Sequence, residues 1–501
     1  MPHAQRYSIA CVALGALLLQ SALASAQNPV DAENRKLAER VIAAGPQARG
    51  LLPLLELWDN WDSSTPQKLV SELSRVAVHP AVPPARKVLA ETMLAQARLR
   101  RGDATAVAKR FEELGYVTQF RVIGPFDNEG KRGFDLDSPV ELKRMEAPDL
   151  QASYPGREHD VTWRDLPDVV RSGFVPFGAV LRPFENVCGL AETFVRSDNA
   201  RPLSLWVGAG GAVKVYWNGE LVLRDAAYRG PSPDRNVVMV PARAGNNRLL
   251  VKVCAQSGAW GFQLRVGDVQ GGIARGLSYS TNVRDALDIA PVKNARLPAT
   301  PEAPLAYFET QARSDKPSAE LLSDFARFLM LTNSDDPAER RAKQLAERAA
   351  DLSPSATSWK LAAKLAEERA EIMRFRDRAL ALAPSDPGVL LLHAQVLMRG
   401  PAPEQALAVL DRIPADSPES IEASLLRARL TREQELPATA LSILRALHAR
   451  IGPTVRVLRD LIELESDASQ LDSAREHRVQ LLSLRHDDGD SRRALISDAL
   501  A

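Results

Sequence analysis

The sequence predicts a multidomain α and β protein in which one antiparallel β-sandwich is flanked by α-helical repeats. Three observations predict this. Residues 203–262 are the one long stretch whose apolar side chains alternate with a period of two. Leu203, Leu205 and Val207 share a face, and Val213, Val215 and Trp217 follow the same rule. Asn218-Gly219 stands between residues 213–217 and 221–223, and Asn-Gly tolerates positive φ at both turn positions, so it signals a tight hairpin. Nearly everywhere else the apolar spacing is helical, and Pro354, Pro384 and Pro414 recur at intervals of 30.

Taken in order, residues 1–26 read as a secretory signal peptide. Arg6 supplies a short positive region, and residues 9–19 are an uncharged apolar run too short to span a bilayer. Ala24-Ser25-Ala26 fits the small-x-small rule, which puts cleavage between Ala26 and Gln27. A retained N-terminal anchor is the disfavoured rival, and no other stretch is apolar enough to cross a membrane. The expected location is periplasmic or secreted. The whole chain of 501 residues carries 64 Lys and Arg against 63 Asp and Glu, so removing Arg6 leaves 63 against 63. A neutral chain gives no electrostatic argument for nucleic acid or an anionic membrane as partner.

Residues 27–115 read as helices. Thr65-Pro66 places a capping residue before a proline at the first helical position, and Leu69, Val70, Leu73 and Val76 follow at helical spacing. The sandwich is expected over residues 116–268. Ala244-Gly245-Asn246-Asn247 adds a second turn signal between residues 237–240 and 249–254. Asp127, Asn128, Glu129, Asp135 and Asp137 form an oxygen-rich stretch. Its spacing is not that of an EF-hand and Lys131 and Arg132 interrupt it, so a polar surface loop is the better reading than calcium. Cleavage would leave two cysteines, Cys188 and Cys254, both in expected strands. In an exported chain they invite a disulfide, the rival being two buried thiols.

Residues 269–304, rich in glycine and then proline, read as a linker, and residues 305–501 as an α-solenoid. Each hairpin there cannot bury its apolar face alone, so neighbours must stack. Ala349 and Ala379 stand five residues before Pro354 and Pro384, and Trp359 fits a first-helix tryptophan. These positions resemble the tetratricopeptide repeat, with a period shorter than that family's usual length.

Little in the sequence carries catalytic chemistry. None of the seven histidines has a metal-ligand partner at helical or loop spacing, and there is no nucleophile elbow, phosphate loop or dinucleotide fingerprint. Pairing of Cys188 or Cys254 with His159 is the one imaginable nucleophile, and a structural role for strand cysteines is favoured over it. The expectation is a non-enzymatic protein with no cofactor and no metal.

One binding surface is suggested. If the Leu and Val rows face the core, Trp206 and Tyr216 point to the opposite sheet faces, and Trp260 lies in a nearby glycine-rich turn. Outward aromatics can stack on sugar rings. The rival reading is that flanking helices cover these faces and bury the rings.

Segments 124–130 (GPFDNEG), 133–135 (GFD), 154–156 (YPG), 186–188 (NVC), 211–219 (GAVKVYWNG) and 247–254 (NRLLVKVC) together resemble a group of large exported bacterial proteins. In those, a signal peptide, helical repeats and such a sandwich precede a domain of unknown function and a transglutaminase-like domain. The sandwich is similar to the galactose-binding-like jelly rolls that accompany many glycosidases as accessory modules. The resemblance covers residues 116–262 well and the flanking repeats loosely. This sequence contains no transglutaminase Cys-His-Asp constellation, so no enzymatic residue carries over. The expected fold is thus a jelly-roll-like sandwich between tetratricopeptide-like repeats. The expected role is a scaffold that binds a protein partner through the C-terminal repeats, the alternative being a module for cell-envelope or extracellular glycans.

Overall fold

A computed structural model describes residues 28–166, 172–286, 290–292, 295–332 and 336–500. The signal-peptide reading and its cleavage site, Ala26 and Gln27, lie outside the described residues. The chain forms two compact units. One comprises Leu37–Trp58 and Val70–Leu382, and the other the described part of Met1–Lys36, Asp59–Leu69 and Ala383–Ala501.

The first unit is built on the sandwich. In chain order its strands are β1 (Arg121–Asp127), β2 (Tyr154–Pro155), β3 (Asp160–Val161), β4 (Arg164–Asp165), β5 (Phe174–Val175), β6 (Val187–Ser197) and β7 (Arg201–Gly210). Then come β8 (Ala212–Trp217), β9 (Glu220–Asp225), β10 (Asn236–Ala242), β11 (Gly245–Ala255), β12 (Gly261–Gly267) and β13 (Leu277–Ser280). The larger sheet runs β4-β1-β6-β11-β8-β9 with β13 also on β6, and the smaller runs β10-β7-β12-β5. All these pairings are antiparallel. β13 lies inside the stretch read as a linker.

The period-two rows do what such rows dictate. Leu203, Leu205, Val207 and Ala209 of β7 meet Val213, Val215 and Trp217 of β8 and Leu249, Val251 and Val253 of β11 in one core between the sheets. Asn218 (φ 50°) and Gly219 (φ 83°) join β8 to β9, the double positive φ that the hairpin needs. The second turn signal is a different device, because β10 and β11 belong to different sheets and the turn carries the chain across the sandwich. Buried Asn247 holds that crossing. Its Oδ1 accepts from Arg243 N at 2.9 Å and Asn218 Nδ2 at 3.0 Å, and its Nδ2 donates to Arg243 O at 3.0 Å.

In the same unit, helices Pro84–Arg100 and Ala104–Glu113 pack together, with Val88, Val107, Phe111 and Tyr116 forming a small core. Helices Ala319–Thr332 and Asp336–Leu352 form one pair and Ala356–Leu365 and Arg369–Leu382 another. Pro354 and Pro384 each follow closely on a helix end, at Leu352 and Leu382. Ala349 and Ala379 are fully buried. Trp359 stacks on Phe375 with ring centres 5.5 Å apart. These helical pairs are tetratricopeptide-like in the positions the sequence marked.

The second unit is helical. Pro387–Met398 pairs with Gln405–Leu410, Glu419–Glu433 with Pro437–Ile451, and Val455–Asp467 with Leu471–Leu484, before Gly489–Leu500. It also contains chain from far upstream. Val30 enters the apolar cluster of Ile421, Leu425, Leu444 and Leu461.

Candidate functional site

The outer face of the larger sheet carries an unusual demand. Lys214 of β8 and Lys252 of β11 are directly opposed in register and on the same face. Two opposed ammonium groups repel, and both are almost completely buried, so the face requires anionic cover. Residues 128–163 supply it. A Ser138–Glu141 capping box starts the short helix Pro139–Leu142. This fixes the fully buried Glu141, which accepts from Lys252 Nζ at 2.6 Å and from Tyr216 Oη at 2.8 Å. Asp137 stands 3.5 Å from Lys214. Lys252 also donates to Leu136 O at 2.8 Å, and Arg248 to Arg144 O at 2.6 Å. Burial holds the Lys252 ammonium below its usual range, against the pull of Glu141. Burial and then the charge of Glu141 push the Tyr216 phenol well up.

Cys188 and Cys254 are joined as a disulfide on this same face, directly opposed between β6 and β11. In the chain-entropy model, closing such a loop contributes on the order of 4 kcal/mol. The oxygen-rich stretch beside it is consumed in ion pairs. Asp127 and Glu129 meet Arg157, Asp135 meets Arg224, and Asp137 lies near Lys214 and Arg144.

The aromatic platform expected from the alternation is corrected in its exposure. Trp206 and Tyr216 do turn away from the core between the sheets, but they are only 6% and 4% exposed. Tyr216 is sealed under residues 134–163 with Ile123, Phe134 and Leu250. Trp260 faces the other way, into the core, where its indole N–H donates to Val253 O at 3.0 Å and its ring meets Phe177 edge-on. The three rings are not one surface, because alternation fixes which face a side chain takes and says nothing about what covers that face.

The outer face of the smaller sheet is built differently. Arg265 of β12 sits opposite Trp206 of β7, with its guanidinium 4.6 Å from the ring centre. Arg265 is fully buried. It donates to both oxygens of Asp234, at 2.9 and 3.0 Å from Nε and 2.6 Å from Nη2, and to Gly271 O at 2.8 Å. The indole N–H of Trp206 donates to Ser204 Oγ at 2.9 Å.

Beside Trp206 and Asp234 a cavity of about 540 Å³ remains, a size that suits a small ligand. Leu51 and Leu89 make its apolar wall and Arg86 reaches it from helix Pro84–Arg100. Arg86 is only 7% exposed; its two terminal nitrogens each donate at 2.6 Å, to Gly45 O and Gln47 O. Desolvation pulls its pKa down to about 10. No carboxylate among the described residues lies within ion-pair distance of it. Sequence reading passed over Arg86, since a lone arginine on an amphipathic helix looks like a solvated one.

In the helical unit the upstream segments are held by side chains. Asp62 lies 3.9 Å from Arg459 and 3.4 Å from Arg485. Asn34 donates to Ser64 Oγ at 2.7 Å and accepts from Asn60 at 2.9 Å. Fully buried Glu465 accepts from Arg445 at 2.8 Å and lies 2.7 Å from His477 Nδ1.

No family model and no curated protein matches the chain. Among solved structures it is similar to a thermophilic tetratricopeptide-repeat protein of Thermus thermophilus, at 18% identity over 37% of this chain and 100% of that one, with a TM-score of 0.31. PilW, a type IV pilus biogenesis factor, is similar at 18% identity over 33% of this chain and 77% of that one, with a TM-score of 0.30. YrrB, a tetratricopeptide-repeat protein with an unusual peptide-binding site, is similar at 18% identity over 37% and 96%, with a TM-score of 0.27.

Proposed function

We propose that the chain is an exported, non-catalytic interaction protein that holds a polypeptide partner on its C-terminal helical pairs. The observation that supports this most is the one already made by the chain on itself. Helices between Pro387 and Leu500 accommodate segments hundreds of residues away in sequence, taking Val30 into an apolar cluster and Asp62 between Arg459 and Arg485. The same helices leave Leu471, Val479 and Ile496 exposed at 65%, 57% and 55%. Apolar side chains on adjacent helices are what a protein partner would cover. Export draws its support from the residues read as a signal peptide and from the Cys188–Cys254 bridge, since disulfides persist in oxidising compartments.

The glycan reading needs an open aromatic face, and the burial of Trp206, Tyr216 and Trp260 removes its main support.

The test is affinity capture from the cell envelope with the chain from Gln27 onward, analysing both proteins and glycans. A specific protein that is lost with the paired substitutions Val479→Asp and Ile496→Asp supports the reading. Capture of a glycan alone, lost with Trp206→Ala, replaces it.

A further inference from the structure

Arg86 poses a problem that the rest of the first unit does not solve. A guanidinium has five N–H donors, and two are used here, on the carbonyls of Gly45 and Gln47. Those carbonyls lie in the turn that follows helix Pro29–Ala43, so one role of Arg86 is to pin that turn. Carbonyl dipoles satisfy part of the hydrogen bonding and leave a full positive charge out of water. Elsewhere in the sandwich region the fully buried cation Arg265 is matched by a carboxylate, that of Asp234. Asp234 lines the same cavity as Arg86, but its two oxygens are engaged by Arg265. The cavity therefore has one polar wall whose carboxylate is already engaged, one apolar wall, an exposed Glu302 in its lining, and one buried cation with no carboxylate within ion-pair distance among the described residues.

We propose that this cavity binds a ligand carrying a carboxylate on an apolar body, with the carboxylate on Arg86 and the body against Leu51, Leu89 and Trp206. A planar guanidinium with free N–H groups matches a carboxylate in shape and charge. The Arg86 guanidinium is already desolvated by the fold, so a carboxylate that reaches it regains charge pairing without a further desolvation cost to the cation. The C-terminus of a peptide and a free organic acid share this chemistry. The glutamine amides of Gln47, Gln270 and Gln311 at the rim favour a body that itself carries amide groups. In the larger hollow of about 740 Å³ at the loop end of the sandwich both cations are engaged, since Lys131 lies over the Tyr228 ring at 4.9 Å and Arg229 stands 3.5 Å from Asp225. The carboxylate site uses residues of the first unit alone, and the proposed partner surface residues of the second alone, so either reading can fail alone.

The experiment is calorimetric titration of the full chain with three probes: N-acetyl-Leu-Leu as the free acid, the same dipeptide as its C-terminal amide, and 4-methylpentanoate. The free-acid dipeptide is expected to bind at least tenfold more tightly than the amide, the difference a charge-assisted hydrogen bond makes. Binding of the dipeptide acid without 4-methylpentanoate assigns the site to peptide C-termini. Binding of both acids assigns it to carboxylates in general, and each result supports the proposal. Arg86→Lys keeps the charge but loses the fork and should weaken acid binding several-fold. Because Arg86 also pins the turn at Gly45 and Gln47, a second variant leaves it in place. Ala48→Trp on the cavity wall fills the space and should abolish binding while the chain keeps its circular dichroism. Equal affinity for acid and amide, no binding of either acid, or undiminished binding by Ala48→Trp would overturn the proposal.

Discussion

The two outer faces of the sandwich start from the same kind of residue and end differently. Each buries a cation among apolar strands, Lys252 on the larger sheet and Arg265 on the smaller. Each answers it with one carboxylate, Glu141 or Asp234. On the larger sheet the carboxylate comes with a capped helix turn, a tyrosine and a disulfide, and the face is filled. On the smaller sheet the carboxylate borders a cavity, and a second cation there, Arg86, meets backbone carbonyls but no carboxylate among the described residues. A completely satisfied polar network serves the fold. An incompletely satisfied one at a cavity leaves room for a ligand to finish it.

The largest effect should follow loss of the charge at Glu141. Glu141→Gln keeps the shape but leaves Lys252 and Lys214 facing each other with only Asp137 nearby. Breaking a buried pair in this way costs about 3–5 kcal/mol. Denaturant unfolding followed by tryptophan fluorescence measures it. Asp234→Asn is the matched change on the other face. Arg265 keeps Gly271 O and the Trp206 ring, and the neighbouring cavity can admit water, so the loss should be smaller, about 2 kcal/mol. If the two variants lose equal stability, the faces are equally dry and the comparison fails.

How much of this was legible follows from the physics of each feature. Alternation of Leu203, Leu205 and Val207 is a local pattern, and so are the Asn218-Gly219 turn and the prolines that end helices. Each is written within a few residues and was readable. The covers were not. Nothing near Tyr216 in sequence announces Glu141, which lies 75 residues away from it. The signal that could have been read is Lys214 and Lys252, each flanked by valines in a strand. A lysine on a strand with apolar neighbours on both sides is either on an open face or must have a buried partner. Val30 and Asp62 were equally hidden, because their contacts with the C-terminal helices span the length of the chain.

Tyr216→Phe tests whether the larger face is as complete as it looks. The lost bond is to a charged acceptor, which is worth about 1.5–3 kcal/mol. The substitution should also change the response to alkali. The Tyr216 phenol is raised in the folded chain, so the folded state holds that proton where the unfolded chain releases it. Stability from this group is therefore present below about pH 10 and lost as the pH rises above it. Tyr116, buried behind the smaller sheet, is raised as well and stays in the variant. The alkaline slope should thus shrink and not vanish. An unchanged slope would mean that Tyr216 already meets water and that the larger face is not sealed.

Gly271→Ala bears most directly on the open face. Gly271 has φ +76°, and a Cβ there would overlap the Trp206 ring and come within 2.7 Å of Ala85 Cβ. In a filled core such overlap costs about 1–3 kcal/mol. Here the indole borders empty space, so it can shift into the cavity and relieve its own share of the clash, while the contact with Ala85 and the positive φ remain. The expected loss is about 2 kcal/mol, roughly half from the left-handed backbone and half from the remaining overlap, together with a changed Trp206 environment and a smaller cavity. A cost well above that would show that the ring cannot move. The cavity would then be a rigid, preformed site, which favours affinity for a rigid ligand over adaptability.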